Sequence, residues 1–379
     1  MEYKKLSKCD TLVSKLGLGS MRLPCYNNDL GVINEKEVVR MVHYAIDHGV
    51  NYIDTAYTYH KGNSEIVLGK ALRDGYRKRV ILATKSPAWL IEKHDDFDLI
   101  INKQLEKLGT DHIDVYLFHA LNKKSWQNVI EHDGLDFLNQ ALKSGKIKHA
   151  GFSFHDDLNV FKDIVDAYPW SMCQIMLNYL DDKFQAGVEG LKYAASKGLA
   201  VAVMEPLKGG LLADNLPATI KQLFNGSSTP QSPVAWALEW VWSHPGVSVA
   251  LSGMSSMEQV KENIKIANQT KQMELSKEKL ELLKKVKREF KAIIQIDCTN
   301  CRYCLPCPTG IDIPKNFALY NRAYIYHDIQ AISNIYRQKL PTANRASACI
   351  ECRKCESLCP QRIPIVEKLK LVDRTLRQE

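Results

Sequence analysis

The pattern of apolar and polar positions alternates between two periods along most of the chain. From about Val50 to Leu251, short apolar runs rich in β-branched residues alternate with segments whose apolar residues recur at helical spacing. An early strand is predicted near Leu16–Gly19. The clearest predicted strands are Val50–Asp54, Val80–Thr84, Ile113–Phe118, His149–Phe152, Cys173–Met176, Leu199–Met204 and Val247–Leu251.

Eight strand–helix units in roughly 250 residues are typical of a closed (β/α)₈ barrel of the TIM type. An open, doubly wound α/β sheet is the competing fold, because the same alternation builds both. The first helix illustrates the helical segments: Asn34 can cap its start, Glu37 follows as in a capping box, and Gly49 can end it. Its apolar stripe is Val38, Met41, Val42, Ala45 and Ile46.

The C-terminal part of the chain has a different composition. A helix is predicted from about Ser256 to Ala267, and a second, opened by Ser276, runs to about Lys291. Beyond it, Cys298–Glu379 is too short and too poor in apolar residues to fold well without bound metal. We therefore predict a barrel domain over residues 1–275 and, over 276–379, a linking helix with a small, mainly α-helical domain.

Composition and charge narrow the class of protein. The chain has 379 residues, 45% hydrophobic and 25% charged, which is typical of a globular protein. No run approaches the roughly 18 apolar residues of a membrane span, so a cytoplasmic protein without membrane contact is expected. The net charge of +8 is spread along the chain. Its one local concentration, Lys284–Lys291, is interpreted as a solvated helix face, and nucleic-acid binding is not expected.

The cysteines carry the clearest chemical signal. Eight of the eleven fall into two short segments, which favours metal ligation over disulfides. The first run is Cys298-x₂-Cys301-x₂-Cys304-x₂-Cys307-Pro308, and the second is Cys349-x₂-Cys352-x₂-Cys355-x₃-Cys359-Pro360. The second has the spacing of bacterial ferredoxins, so two 4Fe-4S clusters are predicted. Two zinc sites with four thiolates each are the alternative.

In the ferredoxin pattern the fourth cysteine of a run crosses to the other cluster. One cluster would then be held by Cys298, Cys301, Cys304 and Cys359, and the other by Cys349, Cys352, Cys355 and Cys307. The first run departs from the pattern, with two residues rather than three before its last cysteine. The isolated residues Cys9, Cys25 and Cys173 are assigned no role.

Three predicted strands end their apolar run in a polar or charged residue. Asp54, Lys85 and His119 stand at these ends, and Tyr59 follows in the loop after the first of them. The C-terminal ends of barrel strands meet at one rim, where barrel enzymes place their chemistry. These four residues are therefore predicted to share a site.

The chain resembles the aldo/keto reductase family, in its branch with a C-terminal ferredoxin-type 4Fe-4S extension. The resemblance covers essentially the whole chain. It rests on segments that stand in the family's order: Leu16–Arg22, Asp54-Thr55-Ala56 with Tyr59, Gly69–Leu72, Lys85, His119, Gly151-Phe152-Ser153, Gln174, and Gly253 through Glu262-Asn263.

The resemblance implies a catalytic tetrad of Asp54, Tyr59, Lys85 and His119. Tyr59 would protonate a carbonyl oxygen while a nicotinamide donates hydride to the carbon. A phenol has an ordinary pKa of about 10 and is a poor acid at neutral pH unless its phenolate is stabilised. Lys85 would lower the pKa of Tyr59, Asp54 would compensate the lysine charge, and His119 would orient the carbonyl.

The resemblance also implies residues that bind NADPH or NADH. Ser153 and Gln174 would bind the carboxamide, and Gly209 and Gly210 would lie over the pyrophosphate. The other positions carried over are Gly19, Ser20, Met21, Met204 and Gly253, with Gln259, Glu262 and Asn263 at the adenosine end.

Three departures from the family pattern bear on the nucleotide. Phe154 stands where many members have Asn, and Met204 stands where many have an aromatic residue against the nicotinamide. Gly253 and Gln259 replace basic residues that often hold the 2′-phosphate, which leaves the choice between NADPH and NADH open.

Three functions follow as hypotheses. The first is an enzyme that reduces a small-molecule carbonyl, or oxidises an alcohol, and whose clusters exchange electrons with a ferredoxin or flavodoxin. Hydride moves two electrons whereas a cluster typically moves one, and no flavin motif is visible. The second makes the clusters structural or redox-sensing beside an ordinary reductase. The third is a non-enzymatic, nicotinamide-sensing regulatory protein, which would not need a complete tetrad.

Overall fold

A computed structural model describes residues 1–6, 11–214, 216–271, 274–326 and 328–377 of the chain. Cys9 lies outside these ranges. The strands are β1 (Tyr3–Lys5), β2 (Leu12–Ser14), β3 (Leu16–Gly19), β4 (Tyr52–Asp54), β5 (Ile81–Ser86), β6 (Ile113–Leu121), β7 (Ile147–Phe154), β8 (Met172–Met176), β9 (Ala200–Met204) and β10 (Val247–Ser252).

The α-helices of the described residues follow the strands for most of the chain and dominate its C-terminal part. They are α1 (Glu35–Asp47), α2 (Ser64–Ala71), α3 (Asp95–Leu108), α4 (Lys123–Glu131), α5 (Gly134–Lys143), α6 (Leu158–Ala167), α7 (Gly187–Ser196), α8 (Ala218–Asn225), α9 (Pro233–Trp242), α10 (Met257–Gln269), α11 (Lys277–Ile293), α12 (Ile313–Ile325), α13 (Ile329–Lys339), α14 (Lys354–Ser357) and α15 (Ile365–Leu376). None of the helices in the described ranges is long and apolar enough to cross a membrane.

Strands β3 to β10 form a closed barrel, in which β10 pairs with β3 and every neighbouring pair is parallel. Closure confirms the predicted (β/α)₈ fold and excludes the open doubly wound sheet. The register aligns Gly19 with Asp54 and Asp54 with Ala83. The ends of β3 and β4 are therefore level at the rim, and β5 continues past Ala83 to Ser86.

The interior of the barrel is filled by alternate residues of its strands. Tyr52, Ala83 and Leu117 belong to one buried cluster, which Leu6 and Val13 from the segment containing the β1–β2 hairpin also join. Because strand side chains alternate between faces, the residues two positions further along point the same way. Asp54, Lys85 and His119 are those residues, which is why a packed core becomes a polar site at the rim.

Local signals in the sequence set the ends of the first helix, whereas several strands run beyond their predicted ends, among them β5 to Ser86 and β7 to Phe154. The Asn34 side chain caps α1 by accepting a hydrogen bond from the Glu37 backbone N–H (3.2 Å), and Gly49 follows the helix with φ +95°. Strand β6 continues to Leu121, beyond the predicted end at Phe118. It does so through an irregularity between Phe118 and Leu121, where Ala120 has φ +53°.

The chain forms two compact units, one of Met1–Pro206 with Val234–Leu275 and one of Leu207–Pro233 with Ser276–Glu379. The second unit has its own core, built mainly from α12, α13 and α15, with Phe317, Tyr320 and Tyr336 among its buried residues. Several cysteines pack against that core. The boundary expected at 275/276 stays a prediction.

Candidate active site and thiol-lined cavities

Lys85 is the centre of a buried polar cluster at the barrel rim. Its ammonium donates hydrogen bonds to both carboxylate oxygens of Asp54 (2.7 and 2.8 Å) and to the Thr55 carbonyl (2.7 Å). The Tyr59 hydroxyl lies 3.4 Å from the same nitrogen. Lys85 is fully buried, Asp54 is 3% exposed and Tyr59 is 8% exposed. A carboxylate, an ammonium and a phenol thus meet with little access to water.

Tyr59 is held by the turn that it begins. In the 3₁₀ segment Tyr59–Gly62, His60 and Lys61 have φ values of +53° and +56°. The imidazole of His60 is buried, accepts a hydrogen bond from the Leu23 backbone N–H (3.2 Å) and contacts the Leu30 carbonyl (3.0 Å). These bonds fix the unusual backbone and so the position of the phenol.

His119 is buried beside Tyr59 in the same cluster. Its ring is 5.7 Å from the Tyr59 ring in an edge-to-face arrangement and 5.1 Å from the Trp89 ring. Burial holds the pKa of His119 well below its ordinary value, and the Lys85 charge adds to the effect. The imidazole is therefore neutral near pH 7, and a neutral imidazole can still donate one hydrogen bond.

The Asp54–Lys85 pair is stabilised by mutual charge. Burial lowers the pKa of Lys85, and the Asp54 carboxylate opposes this change. Burial raises the pKa of Asp54, and the Lys85 ammonium opposes that change. Each group therefore keeps its partner charged, because an isolated charge at this depth would tend to be neutralised.

A second buried network contacts the backbone of Lys85, and its residues were not predicted from the sequence. Glu65, fully buried on α2, accepts hydrogen bonds from Thr84 Oγ1 and Gln104 Nε2, both at 2.7 Å. Gln104 also donates to the Lys85 carbonyl (3.2 Å) and accepts from the Tyr116 hydroxyl (2.8 Å). One signal was available: Glu65 stands among the residues that form the buried face of α2.

The residues expected at the nicotinamide carboxamide lie on neighbouring strands of the barrel. Ser153 on β7 pairs in register with Gln174 on β8. The Ser153 hydroxyl accepts from the Ala120 backbone N–H (2.7 Å), whereas the buried Gln174 Oε1 has no hydrogen-bond partner among the described residues. Gln174 Nε2 lies 3.8 Å from the Met204 sulfur. Phe154 is buried and packs against Phe161, so it offers no polar atom there.

The other expected nucleotide contacts fall into two groups. Gly19, Ser20 and Met21 stand where β3 passes into a 3₁₀ turn, and Ser20 accepts from the Ser64 hydroxyl (2.9 Å). Gly253, Gln259, Glu262 and Asn263 follow β10 or lie on α10. In this group the Gln259 side chain accepts from the Ser255 backbone N–H (2.8 Å), and Asn263 donates to Ser252 Oγ (2.8 Å).

Gly209 and Gly210 belong to the second compact unit. They lie in the 3₁₀ segment Lys208–Gly210, with φ values of +67° and +97°. The other candidate nucleotide contacts lie in the first unit, so the structure does not bring all of them together in one unit.

The eight clustered cysteines line two cavities in the second unit. One is lined by Cys298, Cys301, Cys304 and Cys359. The other is lined by Cys307, Cys349, Cys352 and Cys355, and Cys304 lines both cavities. Among the described residues no three His, Cys, Asp or Glu side chains are grouped to hold a single metal ion. The thiols instead surround spaces to which both runs contribute.

The two cysteine runs have left-handed residues at matching positions despite their different spacing. Asn300 and Arg302 have positive φ in the first run, at the second and fourth positions after Cys298. Glu351 and Arg353 have positive φ at the same positions after Cys349. Four left-handed residues other than Gly are costly, and such strain concentrates where side chains must converge on a ligand.

Comparison with known proteins identifies both parts of the chain. Residues 15–288 match the model of the aldo/keto reductase family, and residues 297–363 match a 4Fe-4S dicluster domain. The chain belongs to the aldo/keto reductase family, and it is an NAD(P)H-dependent oxidoreductase with a 4Fe-4S dicluster domain at its C-terminus. The cluster-domain match replaces the zinc alternative.

Individual relatives agree with this assignment. The chain is 26% identical over 318 residues to the NADH-specific methylglyoxal reductase of Escherichia coli (strain K12), covering 71% of this chain and 94% of that protein. It is 25% identical over 303 residues to the L-galactose dehydrogenase of Arabidopsis thaliana, covering 74% and 92%. The aldo-keto reductase AKR11C1 from Bacillus halodurans (holo form) superposes with a TM-score of 0.64 and 26% identity, covering 76% and 96%.

Proposed function

We propose that the chain reduces the carbonyl group of a small molecule, or oxidises the corresponding alcohol, with Asp54, Tyr59, Lys85 and His119 as its catalytic residues. One observation carries the proposal: the buried Lys85 ammonium lies between the Asp54 carboxylate and the Tyr59 hydroxyl. This arrangement favours a phenol that can give up a proton, because the phenolate left behind is beside a positive charge.

When bound, a reduced nicotinamide supplies the hydride that forms the new C–H bond at the carbonyl carbon. Tyr59 gives its hydroxyl proton to the carbonyl oxygen, so the product is a neutral alcohol. Lys85 stabilises the phenolate until it is reprotonated from solvent, and Asp54 keeps Lys85 charged. The neutral His119 donates a hydrogen bond that orients the carbonyl oxygen.

The pairing of Ser153 and Gln174 supports a nicotinamide at this rim. A buried amide oxygen without a partner is costly, and the unpaired Gln174 Oε1 is suited to accept from a carboxamide N–H. Ser153 keeps a donor for the carboxamide oxygen, because its hydroxyl only accepts from Ala120. We assign the remaining contacts to Gly19, Ser20, Met21, Met204, Gly209, Gly210, Gly253, Gln259, Glu262 and Asn263, with either NADPH or NADH as the nucleotide.

In the cluster domain, which we place at residues 276–379 together with its linking helix, we propose two 4Fe-4S clusters. The first would be held by Cys298, Cys301, Cys304 and Cys359, and the second by Cys349, Cys352, Cys355 and Cys307. The two sets of cavity-lining thiols support this exchange of the fourth ligand, and thiolates are the ligands that such clusters take.

We further propose that the clusters exchange single electrons with a ferredoxin or flavodoxin. Cysteine ligands must stay reduced, and a ferredoxin or flavodoxin also works in a reducing compartment. We therefore propose that the protein is cytoplasmic. Anaerobic reduction of the as-purified protein by a reduced flavodoxin tests this part. Clusters that stay oxidised, while carbonyl reduction proceeds normally, would favour the structural or sensing role instead.

The catalytic proposal is tested by Tyr59→Phe, with Tyr57→Phe as the matched control. Both remove one phenol oxygen from the same loop, but only Tyr59 contacts Lys85 through its hydroxyl. With methylglyoxal as a probe carbonyl, Tyr59→Phe should lower NADH or NADPH oxidation by about 10²–10⁴-fold. Nucleotide binding, followed by fluorescence titration, should stay nearly unchanged. Unaltered turnover in Tyr59→Phe would remove Tyr59 as the acid.

A further inference from the structure

The second thiol-lined cavity is lined in part by the segment from Cys349 to Leu358, which carries several exposed side chains. Cys352 is the one exposed cysteine among the ten in the described residues, whereas the others are buried or half-buried. Ile350 and Leu358 line the same cavity and are 64% and 52% exposed. Exposed apolar side chains that line the same cavity are typical of a contact surface.

The side chains around Cys352 are also positively charged. Arg353 and Lys354 are exposed and line the cavity. The nearby acids are paired: Glu351 lies 2.8 Å from Lys370, and Glu356 lies 3.0 Å from Arg353 and accepts from the Val366 backbone N–H. Over residues 298–379 there are 13 Lys and Arg against 7 Asp and Glu.

The backbone explains why the apolar side chains are not buried. Glu351 and Arg353 have φ values of +58° and +56°, so a left-handed residue stands between Cys349 and Cys352 and another between Cys352 and Cys355. The residues between these cysteines lie in a loop that is held in place at its thiols. Ile350 therefore cannot join the core made by α12, α13 and α15, although its neighbour Cys349 packs against that core.

We propose that Ile350, Cys352, Arg353, Lys354 and Leu358 form the docking surface for a small, acidic, one-electron carrier protein. This rests on the proposed electron exchange and assigns it to the second cluster. One electron passes between the carrier's redox centre and this cluster, so the carrier is oxidised by one electron as the cluster is reduced, or the reverse. The apolar pair excludes water at the contact, while the basic pair attracts the acidic partner.

The charge arm of the test uses the full-length holoprotein and a reduced acidic flavodoxin under anaerobic conditions. Stopped-flow absorbance gives the second-order rate constant of cluster reduction. The double variant Arg353→Glu/Lys354→Glu should slow it by about tenfold or more at low salt, and the difference should shrink at high salt. Lys277→Glu, an exposed lysine at the start of α11 in the same unit, is the control and should react like the wild type.

The apolar arm compares Ile350→Ser/Leu358→Ser with Ile329→Ser. Ile329 is 43% exposed at the start of α13 and does not line the cavity. Binding of oxidised flavodoxin, measured by calorimetry, should weaken at least about tenfold in the double variant and stay unchanged in the control. Reduction of all variants by dithionite, together with their iron content, shows whether the clusters themselves are intact.

The outcomes separate this surface from the wider proposal. If flavodoxin cannot reduce the wild-type protein, both the electron exchange and the docking surface are ruled out. If it reduces the wild-type protein and both double variants keep the same rate and affinity, only the docking surface is ruled out. Loss of iron from Arg353→Glu/Lys354→Glu would indicate that these basic residues only stabilise the cluster. In that case, an unchanged affinity of Ile350→Ser/Leu358→Ser for flavodoxin would contradict the docking surface.

Discussion

The ammonium nitrogen of Lys85 lies 2.7 and 2.8 Å from the two carboxylate oxygens of Asp54, and neither side chain is more than 4% exposed. A buried ion pair of this kind adds little stability over an apolar pair of the same shape, but it is costly to break. Its value here is the positive charge that it keeps beside the Tyr59 hydroxyl. The proposed role of Tyr59 as an acid, rather than stability, would therefore account for the place of this pair in the barrel.

Asp54→Asn should damage both the site and the barrel. Without the carboxylate, burial lowers the pKa of Lys85 further, so the ammonium is lost at a lower pH. Carbonyl reduction should fall and its pH profile should shift toward acid. We expect the free energy of unfolding to drop by about 3 kcal/mol. Asp98→Asn, which breaks the surface pair with Lys146 (2.9 Å), should cost about 0.5 kcal/mol.

The six tryptophans, Trp89, Trp126, Trp170, Trp236, Trp240 and Trp242, all belong to the first unit. Urea unfolding followed by tryptophan fluorescence therefore reports on the barrel. It measures the stability changes predicted for Asp54→Asn and for the two variants that follow.

His155 should make the barrel less stable in acid. Burial lowers its pKa to about 4, and its bond to Gln185 (3.2 Å) opposes the change. Between pH 6.5 and 4 the unfolded chain takes up a proton that the folded chain does not, so stability falls as the pH falls, by at most about 1.4 kcal/mol per pH unit from one group. His155→Gln should flatten this dependence, whereas replacement of the exposed His48 should not. Parallel curves for both variants would contradict the prediction.

Gly69→Ala should destabilise the barrel, although alanine normally favours a helix interior by about 1 kcal/mol over glycine. A Cβ at position 69 would lie 2.5 Å from the Lys107 carbonyl oxygen and 2.8 Å from that of Leu108. Both are backbone atoms of the helix packed against α2, so they cannot move aside easily. We expect a loss of about 1–3 kcal/mol. Gly19→Ala, whose Cβ would meet nothing closer than 3.5 Å, is the steric control.

The exchange of the fourth cluster ligand is tested by paired serine substitutions. Cys359→Ser should lose about half of the bound iron if two clusters of equal size are present. Adding Cys301→Ser should cost no further iron, because both residues would serve the same cluster. Adding Cys352→Ser instead should remove the rest. Cys25→Ser is the control and should keep its full iron content. Equal losses in the two double variants would contradict the assignment.

The nucleotide preference should respond to Gln259. This residue stands in the first turn of α10, where a basic side chain often holds the 2′-phosphate in the family that the chain resembles. Gln259→Arg should raise the affinity for NADPH relative to NADH by about tenfold, because a guanidinium pairs well with phosphate. Gln269→Arg makes the same change at the far end of the helix and should leave the ratio of the two dissociation constants as it was.

Much of this protein was determined by local sequence patterns. The alternating periods predicted the strand–helix units, and the cysteine spacing predicted the cluster domain, because both depend on residues close together in the chain. Asp54, Lys85 and His119 were recognisable because each ends an apolar strand, and parallel strands bring their ends to one rim. Asn34 and Gly49 set the ends of α1 by the same local rules.

Other features depend on residues far apart in sequence, and only the tertiary structure decided them. Barrel closure requires β10 to pair with β3, and no local period distinguishes that from an open sheet. The hydrogen bond from Gln104 to the Lys85 carbonyl joins α3 to β5, and the exposure of Ile350 depends on where Cys349 and Cys352 are held. The strength of a hydrogen bond and the exposure of a side chain depend on burial and close contact. Both arise only when distant segments pack together.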